Sequence, residues 1–313
     1  MKVLHVRRNV TMKILHIIGI QNKWAIALRA ESLQRALLPE AKSDIISFND
    51  IRERNKNMFG KWDFIHIHGL QIIPLIPDYV EKISVPWGFE VISERSMKHA
   101  ENMCGITKKA KVCFCKNNQL ITAIRPFVNV EPVYIPNGVN MELFHPRTYR
   151  IGWVGNKRDK KHLAYKGVPL IRKATAILNV ELDGILHFDF VMDSGSYPTV
   201  LPQTALVPYY QSLDVLVCAS EAEGCSNVVN EALACGIPVV SVRVGIANKL
   251  KSDGANIVLA DRDAKDIARA IKQVFDNVIR SQRCMNKYRW GSSKVKSVYI
   301  EAYTQAIKRG VKR

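Results

Sequence analysis

No uninterrupted apolar run in this sequence approaches the roughly 18 residues that mark a membrane-spanning helix. The opening stretch is broken by His5, Arg7 and Arg8, so no signal peptide is expected. The seven cysteines are odd in number and irregularly spaced, which gives no disulfide framework and points to reduced thiols in a cytoplasmic protein. Cys113-Phe114-Cys115 with Cys104 lacks a further ligand pair to complete a tetrahedral site, so the CxC is expected to be a strand and no metal is expected. Acidic residues are scarce at one end, where the last 34 residues hold 10 Lys and Arg against 1 Glu.

The 313 residues suffice for two domains, and 47% hydrophobic composition gives each a core. The net charge of +18 is unevenly spread. Residues 1–150 carry 22 Lys and Arg against 13 Asp and Glu, whereas residues 151–279 carry 14 of each. A scattered excess is a solvated surface, but this asymmetry favours an anionic partner for the first half and the tail.

Chemistry concentrates in SEAEGCSNVVNEALACGIPVVS, residues 220–241. Val228, Ala232 and Cys235 recur at helical spacing, with Asn227 and Glu231 on a neighbouring stripe. Gly236 and Pro238 end that helix, and Ile237–Val242 continues as a buried strand. With Val215–Val217 upstream the order is strand, loop, helix, strand, and the loop opens where open α/β sheets bind ligands. The amides of Gly224, Cys225, Ser226 and Asn227 would lie at the helix N-terminus and attract phosphate. Glu223 and Glu231, roughly 12 Å apart if the interval were all helical, suit a ligand with hydroxyl-rich ends and an anionic middle. Spacing alone equally allows two solvated glutamates.

The stretch resembles the donor-site signature of the GT-B glycosyltransferases of family 4 (glycosyl transferases group 1). The matching positions are Leu213-Asp214-Val215, Ser220, Glu223-Gly224 and Glu231-Ala232 through Gly236-Ile237-Pro238-Val239-Val240. IPNGVN, residues 135–140, is similar to the family's inter-domain junction, and Lys166-Gly167 to its phosphate-binding pair. The resemblance implies an α/β GT-B fold, two Rossmann-like domains facing a central cleft, with a C-terminal helix crossing back to the N-domain. The expected spans are 1–148 for the acceptor side, with 1–11 an extension, 149–290 for the donor domain and 291–313 for the basic crossover helix and tail.

It further implies a retaining, metal-independent hexosyl- or pentosyltransferase with no cofactor and a UDP- or GDP-linked sugar as co-substrate. Glu231 would bind ribose and Glu223 the sugar, while Lys166 and the amides of residues 224–227 would meet the diphosphate. Asn156 stands where the family has arginine, so Arg158, Lys157 or Lys161 is expected to supply the second cation. Gly19 occupies the place of the family's glycine-rich loop, here GIQNKW. In WDFIHIHGL, His66 reads as a core residue; His68 is either a strand-end residue or the counterpart of a family histidine that places the acceptor.

The acceptor is left open between a glycan or glycolipid at an anionic membrane surface and DNA bearing a hydroxylated base. A GT-B sugar-nucleotide epimerase and a non-catalytic nucleotide-sugar-binding protein are the alternatives. Among local expectations, Lys23–Leu38 reads as a helix with Trp24, Ala27, Leu28 and Leu38 apolar. Val91–Ser93 reads as a strand, and Pro208-Tyr209-Tyr210 as a helix start. Asp261 and Asp263 read as helix caps rather than metal ligands.

Overall fold

The computed structural model describes residues 11–19, 25–53, 56–155, 159–192 and 203–310. It divides into two units, Met1–Phe144 with Met285–Arg313, and His145–Cys284. Each is a parallel sheet with helices, the pair of α/β Rossmann-like units expected of a GT-B chain.

The first unit holds β1 (Met12–Ile18), β2 (Ala41–Ser47), β3 (Phe64–Ile67), β4 (Trp87–Val91), β5 (Val112–Cys115) and β6 (Val133–Tyr134). Their order is β2-β1-β3-β4-β5-β6, with every pairing parallel. Parallel strands covered on both faces favour nearly continuous apolar runs, and β1, MKILHII, is one. Cys113 and Cys115 are both buried on β5, as free thiols within a strand.

Three local expectations need correction. The strand expected at Val91–Ser93 lies earlier, at Trp87–Val91. Gly88 and Glu90 obscured it, yet Gly88 is there to let β5 approach: a Cβ would lie 2.4 Å from Val112 Cγ1. The first helix, Ala25–Leu37, buries Ala27, Ala30, Leu33 and Leu37, whereas Leu28 and Leu38 are about half exposed. Leu28 follows Ala27 by one residue, about 100° around the helix, and so turns away from the core. Pro208 lies inside the helix Gln203–Gln211 rather than at its start. Trp24 lies outside the described residues.

The final helix, Lys296–Gly310, packs within the first unit. Tyr299, Ala302, Tyr303 and Ala306 join Ile14, Phe64 and Phe114 in one core cluster, and Trp290 and Val295 join from the preceding segment. Trp290 also meets the IPNGV turn, where a Cβ on Gly138 would sit 2.3 Å from the indole.

The second unit holds β7 (Tyr149–Trp153), β8 (Phe188–Met192), β9 (Val215–Cys218), β10 (Val239–Val242) and β11 (Ile257–Ala260). The order β11-β10-β9-β7-β8 is again parallel. The first strand of the unit, β7, lies between β8 and β9, so the direction of winding reverses between β7 and β9. That reversal opens a crevice at the strands' carboxyl ends.

Candidate active site

A cavity of about 400 Å³ lies in the second unit at this reversal. Trp153, Val154 and Gly155 reach it from the end of β7, and Val217, Cys218 and Ser220 from the end of β9. Cys225, Ser226 and Asn227 bring the start of the helix Asn227–Ala234 to its wall. Ser226 occupies the N-cap position and its side chain makes no capping bond. The first amides of a helix have no intrahelical acceptor, so this wall presents partial positive charge.

Lys166 and Glu223, 57 residues apart in sequence, meet on the cavity with Lys166 Nζ donating to Glu223 Oε1 at 2.7 Å. Their side chains are 25% and 17% exposed, enough burial for each charge to depend on the other. Burial opposes ionisation of Glu223, but hydrogen bonds from Lys166 and Ser220, with the charges of Lys166 and His162, hold its carboxyl below the usual range. Lys166 follows the short helix Lys160–Tyr165, whose N-cap Asp159 accepts from the His162 amide at 2.8 Å. Gly167 then turns at φ +74° into the helix Val168–Glu181. Only glycine fits there, since a Cβ would lie 2.1 Å from the Ala219 carbonyl oxygen.

The loop carrying Glu223 is held from three sides. Glu221 N donates to the Tyr165 carbonyl at 2.9 Å, and Tyr165 Oη to the Ala222 carbonyl at 3.2 Å. Arg262 donates to the Ala164 carbonyl at 2.9 Å and to that of Ala219 at 3.2 Å, tying the Lys166 and Glu223 loops together. Gly245, at φ +55°, leaves room for the Gly224 carbonyl, which a Cβ would meet at 2.3 Å. Arg262 and Gly245 are missing from the expected site. Arg262 stands between Asp261 and Asp263, and the latter caps the helix Ala264–Val274 by accepting from the amides of Lys265 and Asp266.

Glu231 is one helical turn from Asn227, about 6 Å along the axis, and it does not line the cavity. Its carboxylate accepts from Tyr210 Oη at 2.7 Å. The structure therefore gathers Lys166, Glu223, Cys225, Ser226 and Asn227 at one cavity, with Gly224 in the same loop but not lining it and Glu231 a turn away. Lys161 lies on the Lys160–Tyr165 helix without lining the cavity. Lys157 and Arg158 lie outside the described residues.

The remaining two expected residues belong to the first unit. Gly19 follows β1, and a Cβ there would meet nothing within 4 Å. His68 follows β3 and is fully buried, with Nε2 2.8 Å from His16 Nδ1. His66 is buried too, 2.7 Å through Nδ1 from Tyr303 Oη. Beside them lies Glu90 of β4, fully buried and absent from the expected site. It accepts from Tyr299 Oη at 2.7 Å, Lys116 at 3.3 Å and Arg29. Burial raises the cost of its charge, yet the Lys116 and Arg29 cations hold its carboxyl well below the usual range. Burial pushes all three histidines down, His16 to about 4, which keeps the rings neutral.

Residues 193–277, within the second unit, match the family model Glycosyl transferases group 1. Among its relatives, a D-inositol 3-phosphate glycosyltransferase of Paenarthrobacter aurescens (strain TC1) is 27% identical over 211 residues, covering 55% of this chain and 51% of that protein. The lipopolysaccharide core biosynthesis glycosyltransferase LpsE of Rhizobium meliloti (strain 1021) is 39% identical over 77 residues, 24% of this chain and 23% of that one. The chain thus spans about half the length of the first of these relatives, and less of the second. Among solved structures, Anabaena Alr3699/HepE in complex with UDP and glucose aligns with a TM-score of 0.39 at 13% identity, over 94% of this chain and 99% of that chain.

Proposed function

We propose that the second unit binds a nucleoside-diphosphate sugar and that the chain transfers the sugar to an acceptor hydroxyl with retention at the anomeric carbon. The observation that carries this is the Lys166–Glu223 pair at 2.7 Å on a cavity whose wall is a helix N-terminus. A cation and a ring of amides suit the diphosphate, and a carboxylate beside them suits sugar hydroxyls. When the glycosidic bond breaks, negative charge accumulates on the departing diphosphate. Lys166, Ser226 and Asn227 line the cavity that would receive it, and donors held close to the developing charge lower the barrier. Glu223, held ionised, fixes the sugar while Lys166 turns to phosphate. Glu231, a turn further on, takes the ribose of a UDP or GDP moiety.

The donor assignment is tested by calorimetry with UDP-sugars and GDP-sugars. Glu231→Ala is expected to weaken donor binding by roughly tenfold or more, and unchanged affinity would rule out the assignment.

For the acceptor we infer an anionic molecule bound on the first unit. The charge asymmetry supports this, because residues 151–279 are neutral while the first half and the tail are basic. The D-inositol 3-phosphate and lipopolysaccharide core named for the relatives favour a phosphorylated or lipid-linked sugar over DNA. A nucleotide-sugar screen against glycolipid extract and hydroxymethylated DNA, reading product and released nucleotide, decides between them. Product on DNA alone would overturn the glycan acceptor, and release without transfer to either would overturn both acceptors.

A further inference from the structure

We infer that Tyr210 is a positioning residue that acts through Glu231 and thereby sets how strongly the site prefers a ribonucleotide over its 2′-deoxy form. This rests on the assignment of Glu231 to ribose. Tyr210 lies in the helix Gln203–Gln211 and is 1% exposed. Its Oη donates to Glu231 Oε2 at 2.7 Å across 21 residues of sequence. Glu231 sits in the last turns of the helix Asn227–Ala234, on a half-buried face rather than in the cavity wall.

A glutamate carboxylate rotates about its terminal torsion in a broad well, and its own backbone does not fix the plane. The phenol, donating to Oε2, restricts that freedom. Tyr210 is anchored in a core cluster with Leu213, Leu216, Val229 and Ala232, elements on both sides of Glu231. Its oxygen is therefore a fixed point, and the carboxylate plane is set before any ligand arrives. Burial, then the Glu231 hydrogen bond and charge, push the Tyr210 hydroxyl above its ordinary range, so it stays a donor throughout the working pH. The phenol occupies at least one of a carboxylate's roughly four acceptor positions. A vicinal diol needs two donors received in a fixed orientation, whereas a 2′-deoxyribose offers only one.

The test measures, by calorimetry on the full chain, the affinities of UDP, GDP, their 2′-deoxy forms and inorganic pyrophosphate. The unaltered protein is expected to prefer the ribonucleotide, and Glu231→Ala to erase that preference. Tyr210→Phe is expected to lower the ribo-to-deoxy ratio by roughly tenfold, as loss of a hydrogen bond to a charged group does, with pyrophosphate affinity unchanged. An unchanged ratio in Tyr210→Phe, alongside a ratio lost in Glu231→Ala, overturns the role of Tyr210 and leaves the ribose assignment standing. A preference that survives Glu231→Ala, or no preference in the unaltered protein, overturns the ribose assignment and this inference with it. A parallel fall in pyrophosphate affinity in Tyr210→Phe also overturns it, since the phenol then only supports the fold.

Discussion

Glu90 is a carboxylate with no exposed surface, surrounded by Lys116, Arg29, Tyr299 and three neutral histidines. Such a group is tolerated only when its partners replace the water it loses. Glu90→Gln keeps the shape but leaves two buried cations without their counter-charge, and is expected to destabilise the first unit by about 3–5 kcal/mol, read as a shift in the denaturation midpoint. Lys166→Ala at the cavity should act differently. It is expected to weaken UDP or GDP binding by roughly tenfold or more, through a lost charge-assisted hydrogen bond, with a smaller loss of stability than Glu90→Gln because Glu223 keeps some contact with water. Glu223 and Lys166 were legible in the sequence because local motifs at fixed offsets surround them. Tyr210, Arg262 and Glu90 were not, because each acts through partners tens of residues away. A lone glutamate within the apolar run WGFEVI was the one signal of Glu90 available beforehand.

Between residues and units stand the loops that join β7, β9 and β10 to their helices. Their geometry depends on two glycines with positive φ, Gly167 and Gly245, each placed against a carbonyl of the Ala219–Gly224 loop. Gly167→Ala forces either the helix start or the Ala219 backbone to move. It is expected to cost about 1–3 kcal/mol of overpacking and to weaken diphosphate binding as well, measured by thermal melting and calorimetry together. Replacing Gly19, where a Cβ meets nothing, should leave stability close to that of the unaltered protein. The elements themselves were mostly foreseeable from periodicity, since buried parallel strands read as apolar runs. The misplacements have physical causes. Glycine and glutamate hid β4, a one-residue phase error placed Leu28 inward, and Pro208 interrupts a helix that continues around it.

At the scale of the whole molecule, acid should act first on the first unit. His16 titrates near 4 when folded against 6.5 when unfolded, so the unfolded chain takes up its proton at higher pH. Its contribution is intact above about pH 6.5 and falls by about 1.4 kcal/mol per pH unit down to about pH 4. His66 and His68 are shifted in the same direction, and Glu90, held low, adds a loss once pH drops below its unfolded value and through its folded one. Calorimetric scans from pH 7 to pH 4.5 are expected to show one transition moving steeply to lower temperature, the one that Glu90→Gln also moves. A transition insensitive to both would contradict the assignment of the buried cluster to stability.

The packing of Lys296–Gly310 against β1, β3 and β5 has a consequence for how the protein is made. Residues 145–284 form a continuous unit that can close as soon as it leaves the ribosome, whereas Ile14, Phe64 and Phe114 wait for Tyr299 and Tyr303, translated after that unit. Synthesis thus runs ahead of folding for the first half, part of whose apolar sheet face stays uncovered until the helix Lys296–Gly310 arrives. Nascent chains arrested near residue 290 should yield a protease-resistant second half and a digestible first half.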